Sequence, residues 1–166
     1  IQAMPEHEFV LWVIGAKAAD RSRFVYDLPG NVAEVHEVLL DDALRLYGEQ
    51  RPVHFTPQEH DALRELVRLG HPDWEILFRL FQEKKVHPLS LLQSREFMSL
   101  FTEVCQQEYP YVAYADAFHT MRSMLLPVLY LISGEVPKAQ VYHAISTGYG
   151  GLLACLAVVC TMHRFF

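Results

Sequence analysis

EFVLWVIGA, residues 8–16, is an almost continuous apolar run closed by Gly15. A strand with one wet face alternates apolar and polar residues, whereas a parallel strand covered on both faces reads as an unbroken run. The stretch therefore predicts a central parallel strand and, with it, an α/β fold. Downstream, KAADRS is polar, RFVYDL alternates in part, and PGN supplies a turn through Pro29 and Gly30. VAEVHEVLL follows, with Val32, Val35 and Val38 between acidic residues, and its first half reads as another strand.

The pattern changes at Thr56. TPQEHDALRELVRLG offers Thr56 as N-cap, Pro57 at the first helical position and Gly70 at the end. Leu63, Leu66 and Val67 share one face at helical spacing. PDWEILFRLFQEKK repeats the design with Trp74, Leu77, Phe78 and Phe81, and SREFMSLFTEVCQQEY repeats it with Ser94, Phe97, Leu100, Phe101 and Val104. A fourth helix, VAYADAFHTMRSMLLPVLYLIS, is apolar around most of its circumference and carries Pro127, a source of a kink. AQVYHAI then reads as a return to strand, and a last helix is expected from about Gly150. A helical block between strands of one sheet predicts an α/β layer structure with a helical insertion at about residues 56–133. A boundary at residues 47–56 is the competing division.

Composition narrows the function. The 166 residues carry a formal charge of −6, half of them are hydrophobic, and 10 Phe and 8 Tyr are among them. A folded domain is expected, and a nucleic-acid surface is disfavoured because phosphate binding needs concentrated Lys and Arg. Cys105, Cys155 and Cys160 form no C-x-x-C pair, so a reducing, cytoplasmic setting is expected. MLLPVLYLI and GLLACLAVVCTM are too short to span a bilayer and read as buried helices. The Ile start and the ending VVCTMHRFF read as the limits of a piece of a longer chain.

Nine histidines, at 7, 36, 54, 60, 71, 87, 119, 143 and 163, contain no i, i+4 pair and no nearby Cys, so no metal site is expected. Neither a P-loop, a G-x-S-x-G elbow nor a G-x-G-x-x-G is present. The remaining candidate is VYHAISTGYGG. Ligands of open α/β sheets bind where strands lead into helix N-termini. His143 ends the expected strand there, as a hydroxyl-proton acceptor or hydrogen-bond partner, and Ser146, Thr147, Gly148, Tyr149 and Gly150 form the loop. The same residues also read more plainly, as a satisfied core His, a Ser/Thr N-cap and glycines for helix–sheet packing. Trp12 and Trp74 read as core or interface. Tyr109, Tyr111 and Tyr114 are a stacking platform or helix N-terminal packing.

Three stretches together carry a family resemblance: EHEFVLWVIGA with YDLPGNVAEVHEVLL, the helical FMSLFTEVCQQEYPYVAYADAFHTMRSMLLPVLYLISGEVPKA, and VYHAISTGYGGLLACLA. The combination resembles the N-terminal region of PelF-type glycosyltransferases, members of glycosyltransferase family 4 in Pel exopolysaccharide synthesis. The resemblance implies an incomplete, Rossmann-like N-terminal domain of a GT-B enzyme that is retaining and UDP-sugar-dependent. It further implies an acceptor polysaccharide handled on this side, and a donor domain with E-x-x-x-x-x-x-x-E carboxylates that this chain lacks.

By the resemblance His143 takes the acceptor-side role, with Ser146, Thr147, Gly148, Tyr149 and Gly150 lining the cleft. Gln140 stands where the family has Asp, and Ile145 where it has a second His. The chain alone is expected to hold no cofactor and no activity, to be cytoplasmic, and to reach the inner membrane through partners. The alternative expectation is a non-catalytic module whose helices dock membrane-bound polysaccharide synthesis proteins.

Overall fold

A computed structural model describes residues 1–17, 27–44 and 54–162. The chain divides into two compact units, Ile1–Arg45 and Leu46–Phe166. Most of the RFVYDL run, most of the 47–56 boundary and His163 lie outside the described residues.

In the first unit β1 (Phe9–Gly15) and β2 (Val32–Leu39) pair in parallel, with Trp12 opposite His36 and Gly15 opposite Leu39. The parallel strand expected from EFVLWVIGA is present, and β2 runs through the whole of VAEVHEVL rather than its first half. The expectation of cover on both faces is not met. Val10 and Val13, on opposite faces, are 42% and 40% exposed. Gly15 permits close approach, because a Cβ there would come within 2.9 Å of the buried Leu39 side chain. At the entry to β2 the Asn31 amide nitrogen lies 3.2, 3.0 and 3.2 Å from the Ile1, Met4 and His7 carbonyls, pinning the turns before β1.

The second unit is helical: α1 (Pro57–Val67), α2 (Trp74–Gln82), α3 (Pro88–Gln93), α4 (Arg95–Glu108), α5 (Tyr114–Ser133) and α6 (Tyr149–Met162). The chain is thus mixed α/β, with a two-stranded parallel sheet and six α-helices among the described residues. The N-cap read at Thr56 holds, and two further helices are capped in the same way. Asp73 and Ser94 accept from Ile76 N–H and Phe97 N–H. Thr56 accepts from Glu59 N–H at 3.3 Å while the Glu59 carboxylate accepts from Thr56 N–H at 2.8 Å, a reciprocal capping box.

The C-terminus of α1 departs from expectation. Gly70 N–H donates to the Glu65 carbonyl and Leu69 N–H to that of Leu66, the two bonds of a Schellman closure. The left-handed residue of that closure is Leu69, at φ 58°, and not Gly70. α3 was not expected from sequence. It begins with Pro88 at its first position and is capped by the His87 ring, whose Nδ1 accepts from Leu89 N–H at 3.3 Å.

AQVYHAI is not a strand. Residues 134–148 are irregular and pair with no described strand, and Val141 and Ile145 are 80% and 97% exposed. β-Propensity reports fit to a neighbouring strand and a covering layer, and neither is met here.

The core of the second unit is built around α5, which packs against α2, α3, α4 and α6. Leu63, Leu77, Leu80, Leu91, Leu129 and Ile132 are fully enclosed. Among the described residues Glu59 is the charged side chain that is buried, and Lys84 Nζ sits 2.6 and 2.7 Å from its two oxygens. Burial raises the Glu59 pKa, but the Lys84 ammonium and the Thr56 N–H and hydroxyl outweigh it and hold the carboxyl below its ordinary value.

A carboxylate depressed in the folded state stabilises above its unfolded pKa, and that contribution is lost as pH falls through the folded value. Glu59→Gln is expected to lower stability at pH 7 by about 1–2 kcal/mol, a charged hydrogen bond discounted for the half-exposed Lys84, and to flatten the loss below pH about 4. Urea denaturation across pH checks both.

Burial pushes the His87 pKa down, and its Nε2 is enclosed without a hydrogen-bond partner. The cap exists only for the neutral ring, so its contribution is present above the unfolded value of about 6.5 and is lost as pH falls toward the folded one. His87→Asn keeps an acceptor that does not titrate. Its stability is expected to change less than the parent's between pH 7 and 5, measured in the same denaturation series.

Candidate functional site

The stretch singled out by sequence lies between α5 and α6. Gln82 Nε2 donates to the Ile132 and Gly134 carbonyls at 2.6 and 2.9 Å, fastening the end of α5 to α2. Pro137 is buried, and the Tyr142 hydroxyl donates to its carbonyl at 3.1 Å while accepting from Ala139 N–H at 3.1 Å. From there the chain runs exposed to α6.

His143, Ser146, Thr147, Gly148 and Tyr149 are exposed, and Gly150 is half-buried. They belong to one exposed strip of chain that ends at the first turn of α6. The plainer reading of these residues fails in two respects. His143 is not a core histidine, and the first helical bond runs from Leu152 N–H to the Gly148 carbonyl at 3.1 Å, which places Gly148, not Ser146 or Thr147, at the cap. The glycines meet the preceding loop and no strand, and at one of them the approach is close. A Cβ on Gly151 would lie 3.2 Å from the Ser146 carbonyl oxygen, whereas one on Gly150 meets the Ser146 hydroxyl at an ordinary 3.6 Å.

Chemically, the strip offers an imidazole, two hydroxyls, a phenol and the free N–H groups of a helix start, all open to solvent. Groups of these kinds can hydrogen-bond a polyhydroxylated or anionic ligand. No side chain of the described residues hydrogen-bonds the His143 ring, so nothing there selects its tautomer. Among the described residues no three His, Cys, Asp or Glu side chains are grouped to hold a metal ion.

Two clusters were not legible as sites. Trp12 and His36 stack with centroids 4.5 Å apart and planes 11° from parallel, and His36 Nε2 lies 2.9 Å from a Glu34 oxygen. The sequence read Trp12 as core or interface; the parallel register, unreadable from the sequence, puts it half-buried on a sheet face beside His36. Near the start of α4, Glu96 receives Phe55 N–H at 2.9 Å and meets His54 Nδ1 at 2.7 Å. Burial raises its pKa, and the Phe55 N–H with His54 and His60 draw it below the ordinary value.

At the turn between α4 and α5, Tyr114 and Phe118 lie nearly parallel at 6.5 Å with Phe101 edge-on to both. Of the three tyrosines read as a platform or as packing, Tyr114 joins this cluster and Tyr111 projects into solvent at 99% exposure. Trp74, also read as core or interface, is 37% exposed at the rim of α2 and tilts against Phe78. Among the described residues no helix is long and apolar enough to cross a membrane.

The two glycines give a direct check on the loop geometry. Gly150→Ala is expected to raise stability by about 0.5 kcal/mol through helix propensity without moving the loop. Gly151→Ala is expected to displace the Ser146 carbonyl and shift the amide resonances of residues 145–147, read by NMR with thermal denaturation.

Comparison with known proteins gives one match. The family model described as "Domain of unknown function (DUF3492)" covers residues 1–166. No curated protein and no solved structure matches.

Proposed function

The chain belongs to the DUF3492 family, and from that premise we propose that it is the acceptor-side part of a retaining, UDP-sugar-dependent glycosyltransferase of bacterial exopolysaccharide synthesis. In this reading the chain is a Rossmann-like N-terminal portion of a GT-B enzyme. The PelF-type resemblance of its three stretches supports this, as does the parallel β1–β2 pair. The observation that carries the reading is the exposed strip from His143 to Gly150. Within eight residues of chain it exposes an imidazole, two hydroxyls, a phenol and the start of α6.

The role assigned to the strip is to hold a sugar hydroxyl. His143 accepts a hydrogen bond from the acceptor hydroxyl, and the Ser146 and Thr147 hydroxyls and the Tyr149 phenol engage neighbouring sugar oxygens or stack on the ring. Positioning of a bound acceptor is worth a large part of a transfer barrier, but only beside a donor. Leaving-group stabilisation needs preorganised charge at the diphosphate, which in this reading belongs to the donor domain. The chain alone is expected to bind oligosaccharide weakly and to turn over no UDP-sugar.

Isotope-labelled chain titrated with hexose and N-acetylhexosamine oligosaccharides is expected to show NMR perturbations gathered at residues 143–150. His143→Ala is expected to weaken binding by about fivefold to thirtyfold, the worth of one or two kcal/mol. Perturbations scattered elsewhere, or none at millimolar sugar, would overturn the assignment.

A second reading, a non-catalytic docking module, is favoured by one observation. Tyr111 and Val112 are 99% and 49% exposed at the α4–α5 turn, next to the aromatic cluster of Tyr114 and Phe118. It places the partner among membrane-bound polysaccharide synthesis proteins, with the polar strip idle. In that case Tyr111→Ser abolishes co-purification with such partners and His143→Ala does not.

A further inference from the structure

The segment from Gly134 to Gly148 has to hold its shape without a ladder. Among the described residues no backbone–backbone hydrogen bond lies between the Gly134 N–H bond to the Leu131 carbonyl and the Leu152 N–H bond to that of Gly148. What fixes the middle of the segment is one phenol. The Tyr142 hydroxyl accepts from Ala139 N–H and donates to the Pro137 carbonyl, both at 3.1 Å, so donor and acceptor capacity are both used. Pro137 is itself buried, which anchors the far end of this clasp in the helical unit.

The clasp sets direction as well as order. Tyr142 is half-buried while its neighbours Val141 and His143 are exposed, an alternation expected of an extended chain whose middle side chain is turned inward. With Tyr142 held back onto residues 137–139, His143 has to project away from them. We propose that Tyr142 is a positioning residue, which through its two hydrogen bonds fixes the direction in which His143 is presented at the strip. The clasp and the presentation of His143 stand on the geometry. Only the identity of what His143 meets rests on the acceptor-side reading.

Tyr142→Phe removes the hydroxyl and keeps the ring, so the helical unit is expected to fold as before. Hydrogen exchange at Ala139 N–H is expected to quicken by about fivefold to thirtyfold, as for the loss of one or two hydrogen bonds, with α1, α4 and α5 amides unchanged. The second readout is one that general loosening of the fold does not move. The HN–Hα coupling of His143, which reports the backbone angle that sets the direction of its side chain, is expected to move toward the coil average in Tyr142→Phe, while that of Tyr149 stays as it was.

Unchanged Ala139 exchange, or an unchanged His143 coupling, overturns the proposal. Oligosaccharide titration of both proteins then separates the two claims. Weaker binding by Tyr142→Phe, with perturbations still gathered at 143–150, supports positioning for a sugar ligand. A His143 coupling moved toward the coil average in a chain that binds no oligosaccharide supports the positioning role and overturns the acceptor-side reading alone.

Discussion

α5 is apolar on nearly every side, and a helix of that kind is stable in water only when other elements surround it. That requirement organises the helical unit. From Met121 onward, Met121, Leu125, Leu126, Leu129, Leu131 and Ile132 are buried, and α2, α3, α4 and α6 each pack against the helix. Pro127 sits within the helix without ending it. It removes the bond to the Ser123 carbonyl, and Ser123 lies on the exposed side where water can replace the lost donor. Apolar cover holds the shape, and the backbone tolerates one missing bond.

Charge is used differently, at the rim. Arg64 pairs with Glu103, and Arg68 with Glu108, so α1 is tied to α4 at two levels. These pairs are partly exposed and each adds little stability, but together they set the register of two helices whose apolar faces would tolerate sliding. Glu59 and Lys84 differ because the carboxylate is enclosed. Removing one partner leaves the other without compensation, which makes this pair a specifying contact between the start of α1 and the end of α2.

What could be read in the sequence was what is settled locally. Thr56 with Pro57 announces a helix start, because a side-chain oxygen within three residues satisfies the first N–H groups; the Asp73 and Ser94 caps and the Glu59 half of the capping box follow the same local rule. α3 escaped notice because six residues hold too few turns to show a period, and its cap is a histidine ring rather than a Ser, Thr, Asp or Asn. Leu69 took the left-handed position because the Schellman bonds fix the geometry, and Gly70 simply follows it. The expected strand at 140–145 failed for the opposite reason. Val141, Tyr142 and Ile145 suit a strand, yet strand formation is a property of two partners; no described strand pairs with this segment, and the Tyr142 hydroxyl holds it to the Ala139 N–H and the Pro137 carbonyl instead. The candidate strip was legible as residues, but its exposure and its clasp were not, since both depend on groups that periodicity does not register.

The exposure of the strip limits its chemistry. Electrostatic catalysis depends on donors held in a water-excluded site, where fixed dipoles act at low dielectric. His143 projects from a loop with its neighbours in solvent, so water competes for each hydrogen bond it makes. Such a surface selects and aligns a ligand through several weak contacts made together, and it gains force only when a second surface closes over the ligand and expels water. A helix start, an imidazole and three hydroxyl-bearing side chains are well suited to the first task. In the acceptor-side reading proposed above, the second task falls to another body, and the openness of the strip would leave one face of a bound ligand free for it.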